Sequence, residues 1–502
     1  MKKQIAKNIS TNFLNLLVSI VIGLILTPVL VKKLGVSVYG LIPIALFLTF
    51  YMGVIAQSLT ASVNRFLIEK FISQEFKQAN EIFSTSFILI LLYVLVLSVV
   101  LFIPIVHIDY FLNIPNGYQD DTVNLFLAVL ISFVLAMISS SISVAMYAKN
   151  RIDLMQIGNI IRNISKISAI FIFINSGFIS LTFIGISIVL SELCYLIYAI
   201  ITWKILTPEL VIKIRFFKKE RAKEITAFSG WVLFDQIGTI LFLKTDLILV
   251  NMLMGSKANG EYSVATQFSD LLRSMAGLVA SSLGPVMVIM YEKKQLKQLA
   301  DITIAFVKFL SLTLAVPIII LCIYSKEILD LWLGADFVKL SPLIILMVLP
   351  LIINLGTLPI LSINIAVKKI KIPAVVNIAL ALSGICLSLI IFNRTTFGYY
   401  SIAIAYTLTL TVKNAFFIPW YAAAIMNKPK YTFFTTHLKT VIFSVLFLIT
   451  ANYLKLLMHW FELNILLQWT GLAIIGFCST LLFYTKSERQ IFVSFLKRNK
   501  RK

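Results

Sequence analysis

Fourteen apolar runs divide the chain: 8–31, 38–62, 81–106, 122–147, 157–176, 178–203, 227–253, 262–290, 302–324, 341–366, 373–393, 400–425, 439–458 and 464–484. Each is near the roughly 20 residues that an α-helix needs to cross the hydrocarbon core. In lipid, only a helix or a closed barrel satisfies its own backbone polar groups. These runs are continuously apolar, not alternating, so the expected fold is an all-α polytopic membrane protein with about 14 transmembrane helices. With 13% charged and 59% hydrophobic residues and a mean hydropathy of +0.95, the chain departs from soluble domains, which carry about 25% charge. The first run continues to Val31 after MKKQIAK, too far for a signal-peptide core, and is expected to be the first membrane helix.

The net charge of +22 does not point to nucleic acid, because it is distributed by topology. Thirty-one of the 44 lysines and arginines fall before the first run, after the last, or in the connections on that same side; the opposite loops hold seven. Lys and Arg collect on the cytoplasmic side, so both termini are expected in the cytoplasm. The longest opposite loops, 107–121 and 325–340, could hold a turn or a short interfacial helix but no catalytic domain. No enzyme is expected. No Gly-Lys dipeptide occurs, which removes a phosphate-binding loop of the ATPase type. Cys194, Cys322, Cys386 and Cys478 are far apart and have no metal-ligand spacing, so they read as packing residues and no metal is expected. His107, His437 and His459 read as interfacial residues at helix ends.

The segment 204–225, KILTPELVIKIRFFKKERAKEI, is the one substantial cytoplasmic connection and lies near the midpoint. Its VIKIRFF core with flanking lysines reads as an amphipathic piece on an anionic leaflet and as a hinge. An ungapped shift of 220 residues places LVKKLGVSVYG (30–40) on VNMLMGSKANG (250–260), with Gly35 on Gly255 and Gly40 on Gly260. Glycines there would give backbone freedom to tight turns between the first and second and the seventh and eighth runs. The expected organisation is an N-terminal lobe of six helices (1–203), a basic linker (204–225), a C-terminal lobe of six (226–426), and two further helices with a basic tail (427–502). Six being even, the lobes would form a parallel repeat.

Setting aside Glu81, Lys439 and Lys455 at run ends, ten charges fall inside the runs: Arg162, Lys166, Lys244, Arg273, Lys308 and Lys413 against Glu192, Asp235, Asp246 and Asp270. Charges at such depth are costly and usually face a cavity. Depths along the helices match Lys166 with Glu192, and place Lys244, Asp246, Asp270 and Arg273 at similar levels, where a cross-paired quartet would satisfy all four. Asp235 is the only acid near the depth of Lys308. The surplus of two cations makes a lumen suited to a pyrophosphate, whose oxygens accept charge-assisted hydrogen bonds. Arg162 and Lys308 are close enough to the interface to snorkel instead, and Asp270 with Arg273 could be an i,i+3 bridge. Asp235 or Asp246 could bind a coupling proton or sodium ion.

The segment LGVSVYGLIPIALFLTFYMGVIAQSLTASVNRFLIEK, with Leu34-Gly35 and Tyr39-Gly40 after the first helix and Asn64-Arg65 leaving the second, resembles a known family. So does KTDLILVNMLMGSKANGEYSVATQFSDLL, with Asp246 ahead of its apolar run. Both resemble bacterial O-antigen (Wzx-type) polysaccharide flippases of the multidrug/oligosaccharidyl-lipid/polysaccharide transporter superfamily. The resemblance implies a flippase that moves an undecaprenyl-pyrophosphate-linked oligosaccharide from the inner to the outer leaflet of the bacterial cytoplasmic membrane by alternating access. It implies no bound cofactor, coupling to a proton or sodium gradient, and a polysaccharide polymerase and other assembly proteins as partners beside the bilayer. A lipid II or teichoic-acid-precursor flippase of the same superfamily is the alternative; the lipid II branch carries arginines in its first helix, whereas this chain has no charge between Lys7 and Lys32. A cation-coupled exporter of drugs or small solutes would need an acidic lumen instead.

Overall fold

The computed structural model describes residues 2–47, 63, 67, 70, 74–149, 151–281, 287, 290, 295–367, 369, 371–460 and 464–490. Among them every regular element is a helix. Twelve helices are long and apolar enough to cross a membrane, so the count of fourteen expected from the apolar runs is not reached among the described residues. Two of the expected helices account for the difference. The seventh and eighth runs form one span, Gln236–Gly277, and the second is described only as the short helix Val36–Phe47.

The first compact unit comprises Met1–Ser263. It holds α1 (Lys2–Leu34), α2 (Val36–Phe47), α3 (Phe76–Val106), α4 (Gln119–Ala148), α5 (Ile152–Asn175), α6 (Leu181–Leu206) and most of α7 (Lys219–Ser281). Helices α4 and α6 pack along their lengths, as do α5 with α6 and α1 with α5. In lipid, close approach of backbones replaces the hydrophobic effect as the force between helices, which favours small residues at their seams. Ser139, Ser143, Ser187 and Ser191 are buried on α4 and α6. At Gly185 a Cβ would stand 2.7 Å from that of Ala128. Outside this seam, α3 turns Leu92, Leu95, Val96, Val99 and Ile103 outward, each more than half exposed, as a lipid-facing surface requires.

Two glycines break helices in the same way. Gly35 separates α1 from α2 with φ 80° and ψ 158°; Gly255 bends α7 with φ 84° and ψ 177°. That region is open almost exclusively to glycine. Each of the tight turns expected there is therefore made by a single residue in the non-helical region.

The second unit comprises Val264–Lys502. After α7 it contains α8 (Leu296–Ile323), the amphipathic α9 (Ser325–Leu333), α10 (Ser341–Val348), α11 (Leu351–Gly356), α12 (Leu358–Ala366), α13 (Lys371–Arg394), α14 (Tyr399–Thr411), α15 (Ile418–Ile425), α16 (Phe434–Trp460) and α17 (Ile465–Thr480). The tenth apolar run is thus three short helices. Pro350 stands at the first break and Pro359 just past the second, inside α12, where a missing N–H interrupts the ladder. A π-helical turn, Val412–Phe417, lies just ahead of Pro419. The core of this unit gathers Leu299, Val307, Ile360, Ile363, Ala422 and Phe433. Helices α16 and α17 both pack on α8.

Candidate functional site

The first unit carries a polar seam through the membrane-spanning part of α1, α5 and α6. At its lower end Asp153, fully buried in the first turn of α5, accepts from Lys7 Nζ at 3.1 Å, Arg151 Nε at 3.0 Å and Gln4 Nε2 at 2.5 Å. Its backbone N–H donates to Asn8 Oδ1 at 3.0 Å. Arg151 lies just outside the span, and its hydrogen bond to Asp153 pushes its guanidinium pKa upward. Two turns on, Asn15 Nδ2 donates to Gln156 Oε1 at 2.9 Å, and Asn163 Nδ2 donates to Ser19 Oγ at 2.9 Å. Residues 4, 8, 15 and 19 lie on one stripe of α1, and 153, 156 and 163 on one stripe of α5, as helical periodicity dictates.

Above the amides sit the charges. Arg162 Nη1 donates to Glu192 Oε1 at 3.2 Å, and Nη2 to Asn159 Oδ1 at 3.0 Å. The guanidinium lies 5.3 Å from the centre of the Tyr195 ring, and the Tyr195 hydroxyl is 3.1 Å from Ser143 Oγ on α4. The sequence pairs Glu192 with Lys166. The structure gives the carboxylate to Arg162 instead, because Arg162 shares one level of the α5–α6 seam with Glu192 and Tyr195. Lys166 follows one turn later, within electrostatic range of both partners. No hydrogen bond holds its ammonium among the described residues. It lies about 21 Å along α5 by rise per residue, near mid-membrane. Glu192 Oε2 has no partner among the described residues either. The Arg162 side chain keeps 33% exposure against 12% for Glu192. Two cations and one carboxylate therefore share a wall that is accessible from one side and lined with amides.

The other expected cations have different surroundings. Lys308 is 1% exposed and bonds both Glu488 oxygens, at 2.9 and 2.8 Å. The sequence offers Asp235 as its neighbour and the lumen or the interface as its place. The structure corrects this: Glu488, past the last span, supplies the counter-charge. Glu488 also accepts from the Thr485 N–H at 2.7 Å while its own N–H donates to Thr485 Oγ1 at 3.3 Å, a reciprocal helix cap. Lys413, on the π-helical turn, donates to Asn377 Oδ1 at 2.9 Å. Near it Asn354 Nδ2 donates to Thr411 Oγ1 at 3.1 Å. This makes a second polar cluster, within the second unit.

Asp246 is buried and accepts from the Tyr262 hydroxyl at 3.0 Å. Lys244 belongs to the first unit, Asp270 and Arg273 to the second, and each has an interaction partner. The side chain of Asp235, and Asn64 with Arg65, lie outside the described residues. His437, expected at an interface, is buried with neither ring nitrogen partnered among the described residues. Of the cysteines, only Cys322 is buried. The sequence reading missed Asn8, Asn15, Gln156, Asn159 and Asn163. Their signal is present, amides spaced by three, four and seven inside apolar runs, but uncharged groups stand out less against leucine than lysines do.

Residues 5–291 match a protein family described as "Polysaccharide biosynthesis protein". The chain belongs to that family. It is similar to the uncharacterized membrane protein EpsK of Bacillus subtilis (strain 168), 26% identical over 426 residues that cover 85% of this chain and 84% of EpsK. Among solved structures it shares its fold with the lipid II flippase MurJ in an inward closed conformation, with TM-score 0.65 and 17% identity over 98% of this chain and 99% of that one. It also matches an inward-facing multidrug resistance transporter of the MATE family and MOP superfamily, with TM-score 0.66 and 13% identity over 87% and 98%. This family member is a multi-pass membrane protein with the MATE- and MurJ-like fold.

Proposed function

We propose that this protein is a flippase for a lipid-linked oligosaccharide used in surface polysaccharide assembly, with a polyprenyl pyrophosphate carrier of the undecaprenyl type. One observation carries the reading: Arg162 and Lys166 stand one turn apart at mid-membrane against a single carboxylate, on a wall of amides. The cations would take the pyrophosphate, for which bidentate and charge-assisted hydrogen bonds are strongest. The amides Asn15, Gln156, Asn159 and Asn163 would exchange hydrogen bonds with sugar hydroxyls. The polyprenyl tail needs no polar site and would stay in lipid. Lys244, Arg273 and Lys413 complete the proposed cationic set, while Lys308, closed off by Glu488, serves the fold. The bias of lysine and arginine supports an orientation with both termini on the cytoplasmic side of the bacterial inner membrane. The proposed organisation remains two lobes with α16 and α17 outside the repeat, and Asp235 or Asp246 as the seat of ion coupling.

The match to MurJ extends over 98% of the chain, which favours a lipid-linked cargo over a drug. Family membership in polysaccharide biosynthesis favours a transporter over an enzyme. The test is deletion of the gene in its host, complemented by wild type, Arg162→Ala or Lys166→Ala, with surface polymer and lipid-linked repeat units measured. Loss of polymer with accumulation of lipid-linked units, restored by wild type and not by the variants, is the expected result. Unchanged polymer in the deletion strain would overturn the assignment.

A further inference from the structure

We infer that the segment between α6 and α7 is a rigid strap that docks on anionic phospholipid headgroups. It is not the free hinge that its place between two lobes implies. Apart from a turn at Pro208–Glu209 and one 3-10 turn at Ile214–Phe216, the strap has no regular structure, so its backbone groups need partners, and α3 supplies them. Asn80 brackets it, donating to Glu209 O at 3.0 Å and accepting from Val211 N at 2.7 Å. Ser84 donates to Val211 O at 3.0 Å and accepts from Lys213 N at 3.2 Å. Thr85 Oγ1 accepts from Lys218 N at 3.1 Å, and Trp203 Nε1 on α6 donates to Leu210 O at 3.1 Å. Asn80, Ser84 and Thr85 are all buried beneath it.

The depth of the strap follows from α3. That helix has 31 residues, about 46 Å of rise, against a hydrocarbon core of roughly 30 Å. Its run of outward apolar residues from Leu91 onward puts residues 80–85 near headgroup level, about 9–16 Å from that leucine by rise per residue. At that level the strap turns Ile214 outward at 85% exposure. Lys213, Arg215, Lys218 and Lys219 are exposed around it. An apolar residue ringed by four cations, continuous with a lipid-facing helix, fits the boundary between acyl chains and negative headgroups. Because the strap's hydrogen bonds run through its backbone, they hold its shape while its side chains stay free for lipid.

The test compares the full-length protein with the triple variant Lys213→Gln, Arg215→Gln, Lys218→Gln. Both are extracted from bilayers of mixed phosphatidylglycerol and phosphatidylcholine, and retained lipid is counted by native mass spectrometry. Each basic residue near an anionic surface contributes about fivefold in binding, so the wild type retains phosphatidylglycerol in preference and the variant loses most of that preference. A second variant, Ile214→Ser, lowers retention of both lipids without changing their ratio. Equal retention of the two lipids by wild type, or an unchanged preference in the triple variant, overturns the proposal. Displacement of the retained phosphatidylglycerol by millimolar inorganic phosphate would show a simple anion site and overturn it too. None of these readings depends on transport, so they stand apart from the flippase assignment.

Discussion

Gly40 and Gly260 meet backbone to backbone. A Cβ on Gly40 would stand 2.7 Å from the Gly260 nitrogen, and one on Gly260 would stand 2.1 Å from Val36 O. Asn259 Nδ2 donates to Gly40 O at 2.6 Å beside this crossing. Each glycine follows a helix break five residues earlier, at Gly35 and Gly255. The 220-residue spacing seen in the sequence is thus one crossing point in space, made by the first turns of two helices that leave their breaks in similar geometry.

Gly260→Ala is therefore expected to be severe and Gly40→Ala nearly so, since the obstacles are backbone atoms that cannot rotate away. Overpacking of this kind costs about 1–3 kcal/mol or more. Gly23→Ala, in open space on α1, should be neutral or stabilising by about 0.5–1 kcal/mol, the usual preference of a helix for alanine. Thermal unfolding of the three variants in detergent checks the contrast. Equal midpoints would show that the crossing yields.

Arg162→Ala and Lys166→Ala should separate stability from transport. Arg162 bonds Glu192 and Asn159, and its loss leaves a mostly buried carboxylate uncompensated, which is destabilising. Lys166 has no such bond among the described residues, so its removal relieves repulsion from Arg162 and leaves the melting temperature unchanged or higher. Both variants should lower transport of a pyrophosphate-linked cargo. Full transport by Lys166→Ala would remove that ammonium from the site.

The amides of α1 and α5 should behave as pairs. Gln156→Leu alone leaves the Asn15 and Asn159 amides without their acceptor in the membrane, at a cost of about 1–2 kcal/mol, and Asn15→Leu costs less because Gln156 still accepts from Asn159. The double variant should recover part of that loss, because leucines pack as well as amides do. A double-mutant cycle measures the recovery; additive losses would mean that the pair at 2.9 Å is not coupled.

Stability should fall at acid pH through Glu488. Burial works against its charge, but the hydrogen bonds from Lys308 and Thr485 prevail and hold the carboxyl below its ordinary range. The bond network therefore stabilises the fold fully above the unfolded carboxyl value of about 4.3, and the contribution disappears as pH falls through the lower folded value. Glu488→Gln should destabilise the protein at pH 7 by about 3–5 kcal/mol, since it strands a buried ammonium. It should also flatten the acid limb of the stability profile. An unchanged acid limb would assign that loss to other carboxylates.

The loop after α3 gives a more local test. Asn113 N–H donates to Asn251 Oδ1 at 2.9 Å and its amide to Asn251 O at 2.8 Å, clipping the loop to α7 just before the Gly255 bend. Asn113→Ala keeps the backbone N–H bond to Asn251 Oδ1 and removes only the side-chain bonds to the Asn251 and Met252 carbonyls, so it should cost about 0.5–1.5 kcal/mol. Faster proteolysis within 107–118 would register the released loop.

Membrane helices and the position of the Gly35–Gly255 repeat were legible because they depend on local properties. Apolar length sets a span, and glycine alone enters the backbone region at those breaks. Helix depth also placed Arg162, Lys166 and Glu192 on facing helices. It paired Glu192 with Lys166 where the structure pairs it with Arg162, because about 1.5 Å of rise per residue fixes a level but leaves rotation about the axis open. Lys308 shows the same limit over a longer range, since its partner lies 180 residues away beyond the last span. The linker shows it in another form: lysines and isoleucines gave the expectation of a membrane-surface segment, while the hydrogen bonds that hold its backbone come from Asn80, Ser84 and Thr85 of a helix more than a hundred residues earlier. By itself the sequence determined the class of fold, the sites of its breaks and the inventory of charges. Tertiary structure decided which charges are joined and which remain available, because pairing in a membrane depends on the facing of helices, and only packing sets that facing.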